Sequence, residues 1–173
     1  MTGTSLNDLI VTLEEAGVPI LTRDGDGRVL EPAAFIEQVV ENRQPARVRA
    51  ALVPFFLARP DLGPTVRSLV RRLSEGAARK LKIYYTAAVY SQSRWKTRLE
   101  YSLGPQEKLE DLFSGELGLP PPNEYHGVIG LRELADLAQR ELGGFNFLSE
   151  FEETALLFMA VREQEIRSRG AAG

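Results

Sequence analysis

Cysteine is absent from this chain of 173 residues, and that one absence excludes disulfides, thiolate metal sites and cysteine nucleophiles together. It also fits a reducing compartment, so a cytoplasmic location is expected. Histidine occurs once, at His126, which leaves a histidine-based metal site without a second ligand of its kind. No window approaches the ~18 uncharged apolar residues of a membrane span, and Met1 to Ser5 carry neither the cationic region nor the apolar run of a signal peptide. Walker and dinucleotide-binding sequences are missing. No serine sits in a glycine-flanked nucleophile turn. The acids of Glu150 to Glu153 lack the Glu-x-x-His spacing of di-iron bundles. These gaps point away from catalysis and towards a protein without cofactor or metal.

What is present suffices for an ordered globular protein: 43% of residues are hydrophobic and 26% charged. The length fits a single domain, 1–173, with an N-terminal subunit over 1–42, a helical core over 43–167 and a frayed tail over 168–173. Apolar spacing predicts a first helix opening at Ser5 and ending near residue 16, where Gly17 and Pro19 follow. A short β-hairpin is predicted near 18–31, turning at Asp24-Gly25-Asp26-Gly27 with the glycines supplying positive φ. Helices are expected over 32–41, 45–59 and 64–73, with Pro54 kinking the second of these or marking its last turn. The longest pattern spans 77–103 and stops at Gly104-Pro105. A short helix over 106–113, a proline loop at 119–123, a helix over 131–142 and a last one capped by Ser149 and Glu152 complete the reading. The class is therefore mainly α: a compact bundle of about seven helices around one long central helix.

Charge is unevenly distributed. From Arg67 to Arg98 there are nine cations and one acid, a net +8, interleaved with Tyr84, Tyr85, Tyr90 and the only tryptophan, Trp95. Residues 99–173 carry a net −8 and residues 1–66 a net −3. Projected at about 100° per residue, Leu81, Tyr84, Tyr85, Ala88, Trp95 and Leu99 form one apolar stripe. Ile83, Ala87, Tyr90 and Tyr101 form a second. A helix with two apolar sides belongs inside a bundle, with its cations snorkelling outwards to acids of the C-terminal half. The end of the stretch that remains a binding surface is Arg67, Arg71, Arg72, Arg79, Lys80 and Lys82, which suit nucleic acid or an acidic partner.

Arg94 falls within the second apolar strip. With Tyr90 and Tyr101 buried beside it, it needs a carboxylate, and Glu150, Glu152 or Glu153 are the candidates. Asp24 and Asp26 carry part of a calcium-loop signature. Thr22 and Ala33 stand where the first and last carboxylates belong, so no calcium site is expected. His126 reads as an exposed loop histidine.

Three functions follow as expectations. The first is a non-enzymatic accessory or regulatory subunit that binds a protein partner or itself. The second is a nucleic-acid-binding protein using the basic helix junction. The third is an enzyme with a carboxylate-based site, aided by tyrosine or His126, which requires a concave pocket of convergent polar groups.

Overall fold

In the computed structural model, which describes residues 3–143 and 147–171, α1 (Leu6–Glu15) opens with a reciprocal cap. Ser5 Oγ accepts the Asp8 amide at 3.2 Å, and the Asp8 carboxylate accepts the Ser5 amide at 2.8 Å. There follow α2 (Pro32–Glu41), α3 (Ala46–Ala50), α4 (Leu52–Ala58) and α5 (Gly63–Arg72). Next come α6 (Glu75–Arg94), α7 (Lys96–Leu103), α8 (Val128–Leu142) and α9 (Phe147–Ala171). None of the described helices is long and apolar enough to cross a membrane.

Helix α6 is the pillar. Ser74 Oγ caps it by accepting the Ala77 amide, and both apolar sides are used: Leu81, Tyr84, Tyr85 and Ala88 are buried, as are Ile83, Ala87 and Tyr90. It packs against α2, α4, α5, α8 and α9. Aromatic rings run outwards from it. Tyr85 meets Phe56 at 5.2 Å and Phe113 at 5.8 Å, and Tyr84 meets Phe151 at 5.8 Å, all edge to face. Each fully buried phenylalanine is worth about 1.5–3 kcal/mol, so these contacts outweigh anything the surface charges supply. The apolar cluster is continuous from Leu9 through Met159, and α1 and α2 contribute Leu13, Phe35, Ile36 and Val39 to it.

Several sequence expectations are corrected. The hairpin does not form: no strand occurs among the described residues. Side chains of α1 take the amides a partner strand would have used. Arg28 N donates to Asp8 Oδ1 at 2.8 Å, and Leu30 N to Thr12 Oγ1 at 2.9 Å. Val29, within the expected hairpin, is exposed. Nor do Gly25 and Gly27 adopt positive φ. Gly27 is required for another reason, since a Cβ there would come within 2.6 Å of the Asn7 carbonyl.

The helix predicted over 45–59 divides at Ala51. Pro54 lies in the first turn of α4, where its missing amide costs nothing, and its ring excludes continuity with the turn before. The long helix over 77–103 begins at Glu75 and breaks at Trp95, whose φ and ψ are −106° and 22°. Residues 106–113 are not helical. Gln92 holds that segment open, donating to Glu107 O at 2.9 Å and accepting the Leu109 amide at 2.8 Å. Ser149 does not cap α9. The helix already includes Phe147, which packs on Phe151 one turn later, and the Ser149 hydroxyl donates to Glu153 at 2.6 Å. Helix α9 also continues through Ala171, so residues 168–171 of the expected frayed tail are helical, and 172–173 lie outside the described residues.

Candidate functional site

The basic stretch is largely answered by the protein's own acids. Arg67 donates to Glu110 at 2.8 Å, Arg72 to Glu37 at 3.3 Å and Lys82 to Glu116 at 2.6 Å. Arg79 holds Glu141 through two hydrogen bonds, and that pairing lowers the Glu141 pKa. Arg98 grips Glu163 from two nitrogens in the same way and with the same effect. Of the six candidate cations, Arg71 and Lys80 alone have no acidic partner among the described residues. Surface pairs of this kind contribute only about 0–1 kcal/mol each. Their effect is on potential: most of the net +8 is cancelled locally.

Arg94 contacts Glu152 and lies 4.9 Å from the Trp95 ring centroid, so of the three candidate acids the structure brings Glu152 to it. The premise of two buried tyrosines is half right. Tyr90 is fully buried, whereas Tyr101 is 64% exposed because the break at Trp95 rotates α7 away from the line of α6. Asp24 and Asp26 are exposed, and no group of three or more metal-ligating side chains occurs among the described residues.

Glu150 has a separate role. Tyr84 Oη donates to it at 3.2 Å, and burial raises its pKa, with Arg49 opposing that rise. It lies in a groove of about 460 Å³ formed by α3, α9 and the Ile20-Leu21 segment. Ala46 and Ala50 line one wall, while Thr154 and Leu157 line the other, with Glu153 beside Glu150 and Arg47 across from them. Leu157 is 48% exposed. Sequence reading missed this groove, although a signal existed: Leu156-Leu157-Phe158-Met159 is an apolar run too long for one helix face to bury.

A larger cleft, about 790 Å³, opens between α6, α7, the irregular 105–111 segment and the turn Glu124–Gly127. His126 lines it and is exposed, as expected. The backbone there is strained: Tyr125 and His126 both have left-handed φ, 47° and 54°. For residues with side chains this costs of order 1–3 kcal/mol each. A clamp holds the turn. Gly127, at φ 77°, sits where a Cβ would lie 2.5 Å from the Tyr90 carbonyl oxygen, and Tyr90 Oη donates to Pro120 O at 2.7 Å.

The hydroxyls of Tyr84, Tyr85 and Tyr90 are all engaged in such anchoring bonds. Burial raises their pKa values, that of Tyr85 to about 12. They are donors, poorly suited to exchanging protons at neutral pH. Comparison with known proteins adds no assignment: no family model, curated protein or solved structure matches the chain.

Proposed function

We propose that this is a non-enzymatic helical accessory protein that binds another protein through the groove between α3 and α9. The observation carrying the reading is Glu150, a carboxylate partly withdrawn from water among apolar walls, with one hydrogen bond from Tyr84. Its burial outweighs the Tyr84 hydrogen bond and the Arg49 charge, so its ionised form is a costly group to keep for stability alone. A lysine or arginine of a partner segment would add to the positive charge that Arg49 already places near it, and apolar side chains beside that cation would cover Leu157, Ala46 and Ala50. The commitment of the three buried tyrosines to anchoring supports a binding role over a catalytic one.

Nucleic-acid binding at Arg67–Lys82 is the weaker reading. Phosphates would have to displace Glu110, Glu37, Glu141 and Glu116 from cations they already neutralise. On heparin the protein should elute at low salt, and Arg71→Ala should change that little.

The test of the proposal is co-purification from the native host with wild type and Leu157→Glu in parallel, alongside light scattering of each purified protein. A protein retained by wild type and lost by a folded Leu157→Glu supports the reading. Self-association disrupted by the same substitution would make the partner a second copy. A monomer whose co-purifying proteins are unchanged by Leu157→Glu contradicts it.

A further inference from the structure

We propose that the break between α6 and α7 is a binding site for one buried water molecule, bridging the Ser91 hydroxyl and the Trp95 indole N–H. The site is independent of the partner groove, which neither residue lines.

Two buried polar atoms carry the inference. Ser91 is 0% exposed, and its Oγ has no hydrogen-bond partner among the described residues. Trp95 Nε1 is likewise shut away from solvent without an acceptor. Burying such groups unpaired is costly, and native proteins satisfy nearly all of them with protein atoms or ordered water. The backbone places the two side by side. The Trp95 amide donates to the Ser91 carbonyl at 2.9 Å, so the residues stand one helical turn apart on the same face. Their side chains nevertheless do not bond each other.

Neither group can be served by swinging out to bulk solvent. The indole packs against the apolar core, and the Arg94 guanidinium, itself held by Glu152, lies 4.9 Å from its ring centroid. Neither residue lines any of the principal surface hollows, so the occupant is solvent rather than an organic molecule. The chemistry of the pair fits water. The indole N–H only donates, whereas the hydroxyl both donates and accepts. A water molecule accepts from the first and shares a hydrogen bond with the second. Carbonyls of the same turn, each with a second lone pair, offer it a further acceptor.

The same site accounts for the break. Trp95 departs from helical geometry, at φ −106° and ψ 22°, with no proline or glycine beside it. Where those residues are missing, a water entering the backbone ladder is a recognised cause of a kink. The bridge thereby holds the angle that turns Tyr101 outwards and brings Arg98 to Glu163.

Trp95 is the sole tryptophan, so its indole N–H gives one identifiable signal in a proton–nitrogen correlation spectrum. In the full-length wild type this proton should show a dipolar cross-peak to water, opposite in sign between laboratory-frame and rotating-frame Overhauser spectra. A crystal structure should place one ordered water at about 3 Å from both Ser91 Oγ and Trp95 Nε1. Ser91→Val removes the hydroxyl and fills its surroundings with methyl groups, so cross-peak and ordered water should both be lost. A direct Ser91–Trp95 hydrogen bond overturns the proposal, as does a wild-type protein with no water at the pair. A water cross-peak undiminished in a folded Ser91→Val overturns it too. The wild-type measurements decide the matter even if the variant misfolds.

Discussion

At the scale of single residues, Glu150 gives the clearest pH signature. Its folded-state pKa lies above the ordinary carboxylate value because burial disfavours the charge. The folded state therefore holds this proton more tightly than the unfolded one. The stability it contributes is complete below the ordinary carboxylate range and is lost as pH rises through the folded value. Glu150→Gln keeps an acceptor for Tyr84 and removes the charge. It should raise the Tm relative to wild type at pH 7, with the gap closing as pH approaches about 4. A variant less stable than wild type at every pH would refute the account of this carboxylate. Asp8 behaves in the opposite sense: amide donation from Arg28 and Ser5 lowers its pKa, so its contribution is present above the ordinary range and lost on acidification. Gly130 offers a packing test. A Cβ there would lie 2.4 Å from the Tyr90 ring, so Gly130→Ala should cost about 1–3 kcal/mol in chemical denaturation.

At the scale of elements, the segment 18–31 owes its course to two side chains of α1. Hydrogen exchange should show protection at the Arg28 and Leu30 amides within an otherwise fast-exchanging stretch, and Thr12→Val should abolish it at Leu30 while Arg28 stays protected. Retained protection at Leu30 in that variant would mean another acceptor holds the segment. The same region marks the limit of what was legible beforehand. The helices over 32–41 and 64–73, the two apolar sides of α6 and the stop at Gly104 follow from local spacing and breakers, and they were readable. The hairpin was misread because alternation specifies a strand only when a neighbouring strand takes its amides, and here Asp8 and Thr12 take them. The break at Trp95 has no proline or glycine to announce it, and the open 105–111 segment depends on Gln92, whose hydrogen bonds reach residues fifteen and seventeen positions later. Both groove and cleft depend on residues far apart in sequence, so spacing alone could not draw them together.

At the scale of the whole molecule, a charge dipole along the sequence is folded back on itself. Arg67, Arg79, Lys82, Arg94 and Arg98 each meet an acid from beyond residue 99, so the strong basic block becomes a set of seams between α5, α6, α7 and the C-terminal half. Exposed pairs of this type are individually weak, and Arg79→Gln should cost no more than about 1 kcal/mol in denaturant unfolding. A cost of several kcal/mol would show that the seams, rather than the aromatic core, hold the bundle together. What the self-neutralised surface leaves over is the α3–α9 groove, where Glu150 is withdrawn from water and Leu157 is exposed. The most direct measurement is therefore parallel co-purification from the native host with wild type and Leu157→Glu, each checked for native helicity. The account predicts a defined protein retained by wild type and lost by the variant. An identical set of retained proteins, with both proteins monomeric, would contradict it.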